Sequence, residues 1–228
     1  MTDQPVTAAP SRRGRPGYDR QGLLDVAVAT FIERGYDATS IATLADRLGL
    51  SKSAIYHHFP SKERILGAAL DEALDALEAA LPPAAPTEDG PAANHPAAHR
   101  PAARTDDDGA LPGRGSSRRL EQVLREAVHV LVDRLPYVTL LLRVRGNTDT
   151  ERAALARRRA FDRQVTALIE SAQHSGELRT DLDPRVAERL IFGMINSIVE
   201  WYRPGGRESA HSLADDVVAL ALTGLRAP

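Results

Sequence analysis

The stretch Thr39-Ser-Ile-Ala-Thr-Leu-Ala-Asp-Arg-Leu-Gly-Leu-Ser-Lys-Ser-Ala-Ile-Tyr-His-His-Phe59 decides the fold. Ile41, Leu44, Ala45 and Leu48 recur at three- and four-residue spacing and so line one face of a helix, whose start either Thr39 or Ser40 can cap. Gly49-Leu50 is the turn. Ser51 can cap a second helix that turns Ile55 and Phe59 inward and leaves Lys52, Ser53, Ala54, Tyr56 and His57 toward its start and outer side. Ala45 is small where two helices must cross closely, and Leu44, Leu48, Leu50 and Ile55 lock the pair at a steep angle. The pattern predicts a helix-turn-helix. Its second helix is pushed outward, with a short polar N-terminal half that suits a DNA major groove, and its leading N–H groups favour phosphate.

Working outward, Leu24, Ala27, Val28 and Phe31 predict a helix over 19–34, with Gly35 placed to end it in a left-handed conformation. Before it, residues 1–17 carry Arg12, Arg13 and Arg15 among Pro and Gly and read as a flexible basic arm. After Phe59, Pro60-Ser61 opens a fourth helix to about Ala80. Residues 82–117 hold seven of the fifteen prolines and no apolar pattern, so they are expected to be a disordered insertion. Helical periodicity returns over about 118–135 and 138–144. Thr148 and Glu151 form a capping-box pattern opening a helix to about Ser175. Asp183-Pro184 opens another to about Tyr202, and a last one spans about 209–226. With few charges between Leu190 and Val199, the helix from Pro184 is expected to be buried on more than one side.

The chain has 228 residues, enough for a small head and a larger helical body. Aromatic residues are scarce, at 4%, which favours helices over strands. An all-α protein is expected, with a helix-turn-helix domain at 18–64 and a second helical domain at 65–228. There is no cysteine, which excludes disulfides and thiolate metal sites and fits a reducing, cytoplasmic compartment. No uninterrupted apolar run is long enough to cross a membrane, and the first twenty positions hold Pro, Gly and Arg in place of a secretory core. The net charge of −2 argues against indiscriminate coating of nucleic acid. No Ser-His-Asp motif, phosphate loop or metal constellation points to an enzyme. Neighbours His57 and His58 diverge by about 100° on a helix, so no metal and no cofactor are expected.

With the arginines before helix 1, the helix-turn-helix resembles the DNA-binding head of the TetR family of bacterial regulators, above all over Ser51-Lys-Ser-Ala-Ile-Tyr-His-His-Phe-Pro-Ser-Lys-Glu63. The resemblance implies that Lys52, Ser53 and Tyr56 face bases or nearby backbone, with Ala54 beside them. It implies that His57 and Lys62 hold phosphates, that Thr39 and Ser40 contact backbone, and that Arg12, Arg13 and Arg15 extend the contact. His58 reads as packing.

The second half is similar to a TetR regulatory domain, which implies a ligand cavity and a homodimer reading a palindromic operator in double-stranded DNA. Trp201-Tyr-Arg-Pro-Gly-Gly206 resembles the subgroup whose repressors respond to acyl-CoA thioesters, which implies such an effector and release of a catabolic operon. The same string also reads as ordinary helix termination. The alternative keeps the fold and substitutes a hydrophobic drug-like ligand and an efflux or stress gene. Leu141, Phe161, Phe192 and Ile195 either line the cavity or belong to the core. Arg145 and Arg158 are candidates for the phosphates, although Arg157-Arg158-Arg159 spans about 300° of a helix and reads first as a solvated face. Ile198, Trp201, Tyr202, Val217 and Leu220 are candidates for the dimer interface.

Overall fold

The computed structural model describes residues 19–82 and 115–226, and every regular element among them is a helix. The all-α expectation holds. Arg12, Arg13 and Arg15, and positions 83–114 of the Pro-rich segment, lie outside the described residues. The chain divides into two compact units, Met1–Ile65 and Leu66–Pro228.

In the first unit, α1 (Arg20–Arg34) begins where the Asp19 carboxylate accepts the Gly22 N–H at 2.7 Å. It ends at Gly35, whose φ of 88° is positive as expected, but whose ψ of 150° lies outside the left-handed helical well, in a region essentially open only to glycine. The chain leaves α1 extended rather than curled. Helix α2 (Ile41–Leu48) is capped by Ser40, which accepts the Thr43 N–H at 3.1 Å. Gly49 is left-handed, at φ 65° and ψ 31°, and closes α2 with paired bonds from its own N–H to the Asp46 carbonyl and from Leu50 N–H to the Ala45 carbonyl. Helix α3 (Lys52–His58) starts at Ser51, which accepts the Ala54 N–H at 3.2 Å. Leu24, Val28, Phe31, Leu44, Ile55 and Phe59 are all buried and form a single core under the three helices. The Arg20 guanidinium lies 4.6 Å from the Phe59 ring centroid, covering the end of that core.

Helix α4 (Lys62–Ala79) contains the boundary between the units. The second unit continues with α5 (Ser116–Asp133), α6 (Leu135–Arg143), α7 (Asp149–His174), α8 (Pro184–Trp201) and α9 (Ala210–Leu225). Helix α5 is central, packing on α6, α7, α8 and α9. It begins at Ser116, two residues before the periodicity predicts, because Glu177 beyond α7 accepts both the backbone N–H and the hydroxyl of Ser117. The predicted capping box forms: Thr148 accepts the Glu151 N–H at 3.1 Å, and the buried Glu151 carboxylate receives the N–H groups of Asn147 and Thr148. Asp183 caps α8 through the N–H groups of Arg185 and Val186.

Helix α8 corrects one expectation. Ala187, Ile191, Ile195 and Ile198 are buried, yet Leu190 is 69% exposed and Val186 and Trp201 are each 49% exposed, so one face is buried within the chain and another is not. A lack of charge shows that a face avoids water. It does not show that the same chain covers it.

Ion pairs tie the second unit together. Arg125 on α5 bonds Asp215 on α9, and Arg134 bonds Glu72 on α4. Arg157 on α7 engages Asp71, Asp75 and Glu78 of α4 at once, with both Glu78 oxygens held at 2.8 Å. Those carboxylates raise the Arg157 pKa even further above its ordinary range, Glu78 contributing most. Bidentate geometry makes this network worth more than an isolated surface pair. Arg157→Ala is expected to lower stability by about 1–2 kcal/mol, partly by leaving three carboxylates crowded on α4. Arg157→Lys is expected to recover only part of that loss. Denaturant melts at low and high salt check this, since screening weakens an exposed network and the deficit should narrow in high salt.

Candidate functional site

Two surfaces carry the residues singled out by the sequence. The first is the outer side of α3. Burying Ile55 turns Lys52, Ser53, Tyr56 and His57 to solvent, with Ala54 and His58 half-buried between them. Ser40 is exposed at the start of α2, its hydroxyl shared with that of Thr43 at 2.9 Å. Four side chains on less than two turns of helix thus present a cation, a hydroxyl, a phenol and an imidazole together.

Two candidates are placed differently. Thr39 is 1% exposed, its hydroxyl donates to the Gly35 carbonyl at 2.8 Å and its N–H to that of Tyr36, so it closes the turn after α1 rather than facing outward. The Lys62 ammonium donates to the Tyr36 carbonyl at 2.9 Å and lies 4.2 Å from the Tyr36 ring centroid. Two of its three N–H donors remain for a phosphate, so Lys62 is a preorganised half-buried cation rather than a free one. Tyr36, which also meets Phe31 edge-on with centroids 5.3 Å apart, is the residue that sequence reasoning missed here.

The second surface is a cavity of about 630 Å³ in the second unit, a size usual for small-molecule sites. Helices α4, α5 and α6 supply only apolar lining: Leu77, then Ala127 and Leu131, then Val138, Leu141 and Leu142. Polar groups come from α7 and α8. On α7, Arg158 and Asp162 are four residues apart, and Arg159, Arg163, Thr166 and Glu170 follow the same side of the helix. On α8, Arg185, Glu188, Arg189 and Phe192 do likewise. The Phe161 and Phe192 rings meet edge-on, 5.5 Å between centroids. Leu141, Arg158, Phe161, Phe192 and Ile195 therefore line the cavity as the sequence suggested. Arg145 does not: it is exposed on the connection after α6 and is absent from the lining. The three arginines 157–159 divide: Arg157 binds α4, Arg158 lines the cavity half-buried, and Arg159 is exposed to solvent at the cavity edge.

The carboxyls of Asp162 and Glu188 are the cavity residues that sequence reasoning overlooked. Burial pushes the Glu188 pKa up to about 7, the Asp162 charge adds to the rise, and Arg189 and Arg158 oppose it. Burial likewise raises Asp162, against Arg158, Arg163 and Arg189. A signal was present. Glu188 lies three and seven residues before Ile191 and Ile195, an acid set on an apolar face.

Of the interface candidates, Ile198, Tyr202 and Val217 are buried within one chain, where they serve its own core. Trp201 and Leu220, the latter 68% exposed, remain on the surface. Among the described residues no helix is long and apolar enough to cross a membrane.

A three-helix head with an outward polar third helix, followed by a helical body enclosing a cavity, defines the architecture of a bacterial ligand-responsive regulator. The family model for bacterial regulatory proteins of the tetR family matches residues 23–69, and that for the tetracyclin repressor-like C-terminal domain matches 113–225. The solved structure of SCO3833 from Streptomyces coelicolor A3, a TetR family member, is 46% identical, covers 90% of this chain and 91% of that one, and superposes with a TM-score of 0.70. The transcriptional repressor KstR2 of Rhodococcus jostii RHA1 is 28% identical across 100% of this chain and 99% of its own. AibR, solved with isovaleryl coenzyme A and operator DNA, shares the fold at 22% identity, with 88% and 96% coverage and a TM-score of 0.62. The chain belongs to the TetR family of transcriptional regulators, which are DNA-binding proteins and not enzymes.

The elevated Glu188 pKa fixes a direction for stability. An unfolded chain gives up this proton near 4.5, whereas the native state keeps it to about 7, so stability falls as pH rises through that interval and the full penalty stands above it. Glu188→Gln carries no charge to desolvate. It is expected to melt a few degrees above the parent at pH 8, with the difference shrinking toward pH 5, as differential scanning calorimetry across that range would record. A variant melting below the parent at pH 8 would show that the ionised carboxylate is stabilised in place.

Proposed function

We propose that this protein is a cytoplasmic homodimeric repressor that binds a palindromic operator and is released from it by an acyl-CoA-type effector. The supporting observation is the cavity: an apolar interior beneath a rim where Arg159, Arg163, Arg185 and Arg189 are exposed. An acyl chain needs the former, and guanidinium forks suit the phosphates of coenzyme A. The full-length likeness to KstR2 repressors supports the same reading.

On this reading Lys52, Ser53, Ala54 and Tyr56 meet the major groove, while Ser40, His57 and the spare donors of Lys62 hold phosphates. Arg12, Arg13 and Arg15 extend that contact from the arm. Two heads about 34 Å apart, one DNA turn, make operator symmetry follow from protein symmetry. The exposed apolar faces of α8 and α9, with Val186, Leu190, Trp201 and Leu220, form the dimer interface. Effector binding favours a body conformation whose heads no longer match the operator, with the free energy coming from differential affinity. Helix α4 carries the change, since it belongs to both units.

Footprinting should show protection of a single palindrome, and Lys52→Ala or Tyr56→Ala should each weaken operator binding about tenfold with the melting temperature unchanged. In a thermal-shift screen, CoA thioesters should raise the melting temperature and release operator DNA. If only free acids or hydrophobic drugs do so, the effector class is wrong. Protection spread over any sequence would remove the operator reading itself.

A further inference from the structure

We propose that Asp162 and Glu188 form a hydroxyl-recognition site inside the cavity, so that the effector's acyl portion carries a hydroxyl group where a plain alkyl chain has none. This rests on the acyl-CoA reading and specifies the part of the ligand that lies past the arginine rim. Glu188 is 6% exposed and lines the cavity, and among the described residues its carboxyl takes part in no hydrogen bond or ion pair. The Asp162 carboxylate, half-buried on α7, is likewise without a hydrogen bond and lines the same space. The oxygens of both carboxyls reach the cavity space rather than being sealed in the core, so a ligand that fills the cavity has to replace the hydrogen bonds water can make there, and no lining side chain of α4, α5 or α6 is polar. A ligand group that hydrogen-bonds both carboxyls meets that need where a plain alkyl chain does not.

The surroundings select its chemistry. A cationic group would meet Arg158 and Arg189, whose charges already act on Glu188. A carbonyl group only accepts hydrogen bonds, so it could take one from protonated Glu188 but would leave the Asp162 carboxylate unpartnered. A hydroxyl both donates and accepts. It can donate to the Asp162 carboxylate and accept from a protonated Glu188, and the elevated Glu188 pKa keeps such a proton available near neutrality.

The test is isothermal titration of the full chain with octanoyl-CoA, 3-hydroxyoctanoyl-CoA and 8-hydroxyoctanoyl-CoA, and with the three corresponding free acids. At least one hydroxylated thioester is expected to bind about tenfold or more tighter than octanoyl-CoA, since a site built for a hydroxyl rejects its deletion. Glu188→Leu should bring the hydroxylated and plain thioesters to equal affinity, with operator affinity unchanged. Glu188→Gln, still able to hydrogen-bond, should keep part of it, which guards against a folding defect in the leucine variant. Equal binding of plain and hydroxylated thioesters, or a preference that survives in Glu188→Leu, overturns the hydroxyl site while leaving the acyl-CoA reading standing. A Glu188-dependent preference among free acids with no thioester bound supports the site and overturns the thioester. Binding of none of the six overturns both.

Discussion

Successive residues of a helix turn by about 100°, and that step divides each helix of this protein between burial and function. In α3, Ile55 must face inward for the head to have a core, and Tyr56 and His57 are thereby turned outward. In α7, the same step separates Arg157, which holds three carboxylates of α4, from Arg158 and Arg159, which reach the cavity. In α8 it sorts Ile191 to the core, Phe192 to the cavity and Leu190 to the exterior. Each functional surface is what remains of a helix once its apolar stripe has been buried, so any change of helical phase would move core and site together.

Local chemistry made the element ends readable. Ser51, Thr148 and Asp183 all cap where their patterns place them, because a capping bond involves only residues within one turn. Thr39 and Ser40 are equivalent by type, and only the return of the Thr39 hydroxyl to the Gly35 carbonyl separates them. The head is accordingly the most readable part, since its helices are consecutive and their packing partners lie close in sequence. The cavity depends on pairing over long separations. Leu141 and Phe192 meet the same space from α6 and α8, and Arg145, near Leu141 in sequence, is carried away by the end of α6. Periodicity tells which residues share a face but not what that face meets. For the same reason the uncharged span of α8 suggested burial, whereas Leu190 and Trp201 stand on the surface.

The electrostatics of the second unit set a balance between two uses of arginine. Arg157 is fully engaged by carboxylates, and its geometry fixes α7 against α4. Its neighbours carry no such closed network; Arg158 and Arg189 face two carboxyls whose pKa burial raises. The cavity therefore keeps charge in surroundings that oppose it. Structural cost at a binding site is tolerable when the stabilising contacts elsewhere exceed it, and the core under α5 together with the Arg157 network provides them.

That arrangement also bears on how an effector could act. A ligand shifts a conformational equilibrium only by its difference in affinity between the two states, so uniform apolar contact contributes little to switching. Desolvated carboxyls differ from apolar lining in this respect. Satisfying them depends on hydrogen-bond geometry, and geometry is what a rotation or slide of α7 against α8 would alter. Apolar walls from α4, α5 and α6 would then give affinity, while the polar side formed by α7 and α8 would give the discrimination between states. Because Arg157 sits one residue from Arg158, movement of α7 toward a ligand would strain or relax the grip on Asp71, Asp75 and Glu78. It would reach α4, whose first turn holds Lys62 against the Tyr36 carbonyl in the DNA-reading head.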